Sequence, residues 1–150
     1  MNSTQFFTDS MALELREALA GSGIELPVVG QVSEPDADGL RLEVRCEGAE
    51  DLIPGNYTVR LDCQLVLHFA DVGMTADEVE GMLAAVGMVC RQVLREPWEY
   101  RVLRDPRPGR DEEYEAAPYL VLGIVPELQP VEVSGAAYVG VLGFRAFVQF

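Results

Sequence analysis

VRLDCQLVLHFADVGMTADEVEGMLAAVGMVCRQVL, residues 59–94, changes its hydrophobic period halfway along and so decides the fold. In YTVRLDCQLVLHF (57–69), Tyr57, Val59, Leu61, Cys63, Leu65, Leu67 and Phe69 share one phase. Thr58, Arg60, Asp62, Gln64 and His68 take the other. Successive side chains of a strand point to opposite faces, so this is a long strand with one dry and one wet side. After a short acidic turn, Val79, Met82, Leu83, Val86, Val89, Cys90, Val93 and Leu94 recur at three- and four-residue steps, the pattern of an amphipathic helix. Thr75 and Glu78 have the spacing of a capping box, in which the Thr accepts from first-turn amides and the Glu reaches back to the cap. Acids fill the first turn and Arg91 and Arg95 the last, which suits the helix dipole, and Pro97 supplies the stop.

Working outward, LRLEVRCE (40–47) alternates as strictly, and its pairing with 57–69 gives an antiparallel hairpin with one covered face. A loop holding Gly48, Pro54, Gly55 and Asn56 is expected between them. Upstream, PDADG (35–39) reads as a turn and 26–34 as a short strand. Over 4–20, Phe7, Met11, Leu15 and Leu19 step by four, and Gly21 and Gly23 end that helix. Downstream, WEYRVLR (98–104) is expected to be a strand, with Trp98, Tyr100 and Val102 on one phase, and 105–118 a long exposed loop. YLVLGIVP (119–126) is apolar on both phases, as in a strand covered on both sides. A short piece at 130–135 leads into 138–150, where Gly140, Leu142, Phe144, Ala146, Val148 and Phe150 share a phase and the strand is expected to be stitched into the sheet. The fold class is α+β: a mainly antiparallel sheet with two amphipathic helices packed on it, in a single domain over 1–150.

Twenty-five acids stand against eleven bases, all Arg, for a formal charge of −14. Nonspecific nucleic-acid binding rests on cations displacing counterions from phosphates, so no nucleic acid is expected as a partner. The start MNSTQFFTDS lacks a basic region and a continuous apolar core, and no run spans a membrane, so neither a secretory leader nor a membrane partner is expected. Cys46, Cys63 and Cys90 are odd in number and lie in regular apolar patterns, which reads as reduced core thiols of a cytoplasmic protein.

No catalytic, cofactor-binding or metal-binding residue is assigned. His68 falls on the polar phase without an evident nucleophile and reads as a surface or edge histidine. GSG (21–23) and VSGAAYVGVLG (133–143) lack the Lys-Ser/Thr and the strand–Gly–helix order of a phosphate loop, and Gly140 and Gly143 read as a bend or a close backbone approach. EGAED and DEEYE lack the alternating ligand spacing of a calcium loop. What stands out is charge contrast: Arg91, Arg95, Arg101, Arg104, Arg107 and Arg110 crowd one stretch and DEEYE (111–115) follows directly. Such a basic arm is expected either as a solvated helix end and loop or as a contact with acidic surface on another copy.

The layout resembles the tail terminator, or tail completion, proteins of long-tailed bacteriophages, through the central unit 59–94 and the closing GFRAFVQF (143–150). That resemblance covers most of the chain as pattern and carries over no single functional residue. It implies a phage or prophage virion protein, not an enzyme and without cofactors, made in the host cytoplasm. Members form a homo-oligomeric ring, usually hexameric, that caps the tail tube and joins it to the head–tail connector while DNA passes through. The Arg-rich end of the second helix and the 103–117 loop would then be subunit or tube contacts. A head-completion or neck protein, or a small-molecule-binding domain, are the alternatives.

Overall fold

Four-residue spacing in the first helix and strict alternation in the hairpin converge on one hydrophobic cluster. The computed structural model of the protein describes residues 3–30, 39–53, 58–69, 73–106, 119–127, 133–134 and 138–150. Helix α1 (Ser3–Gly21) leads to β1 (Val28–Gly30), β2 (Arg41–Ile53) and β3 (Thr58–His68). Helix α2 (Ala76–Leu94) follows, then β4 (Arg101–Val102), β5 (Leu120–Glu127), β6 (Val133–Ser134) and β7 (Tyr138–Gln149). The sheet runs β1-β2-β3-β7-β5-β4, with β6 also paired to β7, and among the described pairings only β1–β2 is parallel. The α+β class expected from the sequence is therefore the observed one.

Phe7, Met11, Leu15 and Leu19 of α1 are all fully buried, as their spacing requires. The helix ends in a Schellman arrangement: Ile24 N–H donates to the Leu19 carbonyl (2.9 Å) and Gly23 N–H to that of Ala20 (3.0 Å). Gly23 takes φ +79°, which a residue with a Cβ adopts only under strain. Gly30 marks the approach of α1 to β1, since a Cβ there would lie 1.9 Å from Asp9 Oδ1 and 3.2 Å from Asp9 N. Arg16 donates to the Val28 carbonyl, tying edge strand β1 to the same helix.

At the start of α2, the Thr75 hydroxyl accepts from Glu78 N–H (3.2 Å) and lies 3.1 Å from Glu78 Oε1, so the carboxylate turns back to the cap side chain. Val86, Val89, Cys90, Val93 and Leu94 are buried. They meet the inward phases of β3 (Leu61, Cys63, Leu65, Leu67) and β7 (Leu142, Phe144, Ala146, Val148) in a single cluster with α1. Phe7 of α1 lies against Phe144 at 6.4 Å between ring centroids, and the two helices touch each other and the same side of the sheet.

Bulges explain where the alternation expected from sequence fails. Between Cys46 and Gly48 the register shifts and β2 continues to Ile53, so Gly48 lies in the strand and not in a loop. In β5 a shift between Val121 and Gly123 moves the inward phase from odd to even numbers, placing both Val121 and Ile124 in the cluster. That is why 119–126 looks apolar on both phases; the strand is not covered on both sides, and Val125 is 53% exposed. In β7 the shift opposite Leu65/Val66 leaves Val141 and Leu142 both buried.

The strand expected over 98–104 is confined to Arg101–Val102. Trp98 is buried with its indole N–H donating to the Val93 carbonyl at the end of α2 (2.8 Å), which also accepts from Glu96 N–H (3.2 Å), and Tyr100 takes φ +63°, which breaks an extended run. Leu103 is buried, whereas Tyr100 and Val102 are exposed, so the expected phase holds at Trp98 and is reversed from Tyr100 on. Residues 107–118, including Arg107, Arg110 and the DEEYE run, lie outside the described residues, as do 35–38 of the turn expected over 35–39 and 54–57 of the expected loop.

Candidate functional site

Two clusters of charge lie on the outside of this frame. The first contains the arginines singled out in the sequence. Arg91 and Arg95 are exposed at the C-terminal end of α2, where their charge complements the helix dipole. Arg101 and Arg104, by contrast, are held within the chain. Arg104 reaches Glu14 at 2.8 Å and Glu17 at 3.0 Å on α1. Arg101 pairs with Glu96 at 2.9 Å and lies over the Trp98 ring at 4.3 Å. The Arg104 guanidinium donates to Glu17 and holds its carboxyl below the usual range. Arg101 and Arg104 thus fasten the segment after α2 to α1, and Arg91 and Arg95 stand apart from that clasp.

The second cluster is the sheet face away from the helices. There Arg60 of β3 reaches Glu50 of β2 at 2.8 Å and Asp62 at 3.5 Å. Arg145 of β7 reaches Asp62 at 3.3 Å and Glu127 of β5 at 2.8 Å. Opposite charges therefore alternate across four strands, β2-β3-β7-β5. Along the same face, His68 bonds Glu43 at 2.9 Å, and Glu43 also takes Arg45 at 2.9 Å. His68 is diagonal to Glu43, since its direct partner on β2 is Arg41. It lies on the polar face expected of a surface or edge histidine, half-buried and tied to a carboxylate. Among the described residues, no group of three or more His, Cys, Asp or Glu is arranged to hold a metal ion.

A third feature sits at the rim of the core. Cys46 of β2 and Cys63 of β3 are directly opposed, and both are free thiols, as is Cys90. A hydrogen bond from Cys63 holds the Cys46 thiol down to about 7, against the opposing effect of its partial burial. The same bond and burial push Cys63 up, and burial alone pushes Cys90 up to about 12.

No protein-family model matches the chain, and no curated protein is similar to it in sequence. A solved structure aligns over 93% of this chain and 92% of its own length, at 16% identity and a TM-score of 0.43, a likeness too weak to carry an argument. Among the described residues, no helix is long and apolar enough to cross a membrane.

The outer ladder and the cysteine pair were not singled out in the sequence. Alternation assigns each residue to a face but leaves the register of two strands open in steps of two, so it does not say which wet residues meet. The one available signal was that Cys46 and Cys63 share the dry phase of adjacent strands.

Proposed function

We propose that this chain is a structural subunit of a phage or prophage virion, a tail terminator that assembles with copies of itself into a ring, caps the tail tube and joins it to the head–tail connector. Its work is assembly and not catalysis. The observation that supports it best is one-sidedness. Both helices pack on one side of the sheet, and the other side carries the alternating ladder Glu50, Arg60, Asp62, Arg145 and Glu127. A sheet face built this way leaves both signs of charge at the surface, where a neighbouring copy can be matched in register. Arg91 and Arg95 are solvent-exposed cations in a chain of net charge −14, so acidic surface on a second copy is their most abundant complement. The same acidity suits a channel through which DNA slides without adhering.

Sedimentation and electron microscopy of the purified chain test the proposal. A closed ring of several copies is expected, and Arg91→Glu with Arg95→Glu should lower its mass while the circular dichroism stays native. A chain that remains a monomer at its highest soluble concentration, and that does not cap tail tubes, would overturn it.

A further inference from the structure

We propose that Cys46 and Cys63 form a reversible dithiol–disulfide site whose oxidant is a low-molecular-weight disulfide, with Cys46 as the entry thiol and Cys63 as the resolving one. Geometry carries the inference. The two residues are direct partners across the β2–β3 ladder. Opposed Cα atoms of an antiparallel pair lie about 4.5–5.5 Å apart, inside the range of about 4.4–6.8 Å that a disulfide spans. Both side chains lie on the inward side of that pair, Cys63 in the hydrophobic cluster and Cys46 packed against it. The register shift just beyond Cys46 gives β2 the extra local twist that a short cross-strand bridge needs.

Exposure divides the roles. Cys46 is half-buried at the rim, with its sulfur 3.3 Å from the Gly48 carbonyl, and a small disulfide can reach it. Cys63 is only 3% exposed and faces Cys46 across the ladder. Separately, the bond from Cys63 favours the Cys46 thiolate, the form that attacks.

The chemistry balances in two exchanges. Cys46 thiolate attacks one sulfur of the oxidant, forming a mixed disulfide and expelling one small thiolate. Cys63 then gives up its proton to that thiolate and attacks the Cys46 sulfur, expelling the second. The protein dithiol is oxidised, and one small disulfide is reduced to two small thiols. A bridge between adjacent strands carries strain, which makes it easier to reduce than a structural disulfide and therefore reversible.

The native full chain and its Cys46→Ser, Cys63→Ser and Cys90→Ser variants are incubated with glutathione disulfide, quenched with an alkylating agent and mapped by mass spectrometry. In the unaltered chain, alkylatable thiols should fall from three to one with a Cys46–Cys63 crosslink, and dithiothreitol should restore all three. Cys90→Ser should crosslink equally, Cys63→Ser should stop as a glutathione adduct on Cys46, and Cys46→Ser should stay unmodified. The rate of crosslinking in Cys90→Ser should climb through about pH 7, where the Cys46 thiolate forms. A glutathione adduct that persists on Cys46 in the unaltered chain would overturn the proposal. So would a crosslink that appears only in urea.

Discussion

Arg104→Glu separates a contact inside the chain from a contact between copies. Arg104 lies 2.8 Å from Glu14 and 3.0 Å from Glu17, with side-chain exposures of 41% for the Arg and 18% and 61% for its partners. Partly exposed pairs of this kind contribute about 0.2–1 kcal/mol each, so removal of both by Arg104→Ala should cost about 0.5–1.5 kcal/mol. Reversal adds repulsion of similar size against two acids and should bring the loss to about 1–3 kcal/mol. With a urea slope of about 2 kcal/mol per molar for a small protein, the midpoint should fall by about 0.5–1.5 M. Glu14→Arg together with Glu17→Arg should return part of the loss, and 1 M salt should shrink it, because the screening length is then only about 3 Å. The acid side has a definite sign. Glu17 titrates below its ordinary 4.5 in the folded chain, so its contribution is complete above that value and is lost as pH falls through the lowered one. An unchanged urea midpoint combined with a smaller particle mass would refute the clasp and return Arg104 to a subunit interface.

Other substitutions probe the frame. Gly30→Ala would place a Cβ 1.9 Å from Asp9 Oδ1 and 3.2 Å from the Asp9 amide, so a cost of about 1–3 kcal/mol is expected by thermal melting. Asp9→Ala should recover only the carboxylate's share of it, and full recovery would mean that the helix backbone is not in the way. Phe144, 1% exposed between α1 and the sheet, should cost about 3–5 kcal/mol as Phe144→Ala, read by denaturant unfolding; a loss below 1 kcal/mol would place it outside the core. Thr75→Ala removes the cap of α2 and should cost about 1 kcal/mol, with Thr75→Asp close to neutral; equal losses for both would argue against capping.

Much of the frame was legible in the residues. Phe7, Met11, Leu15 and Leu19 named the buried stripe of α1, Thr75 and Glu78 the start of α2, and the alternation at 57–69 the dry face of β3. What escaped was set by interactions between distant segments. A bulge near residue 122 has no mark in the local pattern, because Val121 and Ile124 become equivalent only when β5 lies against β7. Trp98 looked like a strand residue, since nothing near it says that its indole completes the end of α2. The same limit applied to the arginines. Clustering at 91–104 was visible, but the partners of Arg104 lie almost ninety residues upstream, so an intrachain tie and an intersubunit one were indistinguishable.

Strand order has a consequence for how the protein comes to be made. β3 has β2 on one flank and β7 on the other, and β7 also receives β5. A middle rung of the sheet is thus a strand that leaves the ribosome some seventy residues after its partner β3. Until it arrives, β3 and β5 each offer a bare row of amides and carbonyls to any passing strand. Folding during synthesis can therefore complete the hairpin but not the sheet, and a nascent chain stalled before Tyr138 should be a client for chaperones.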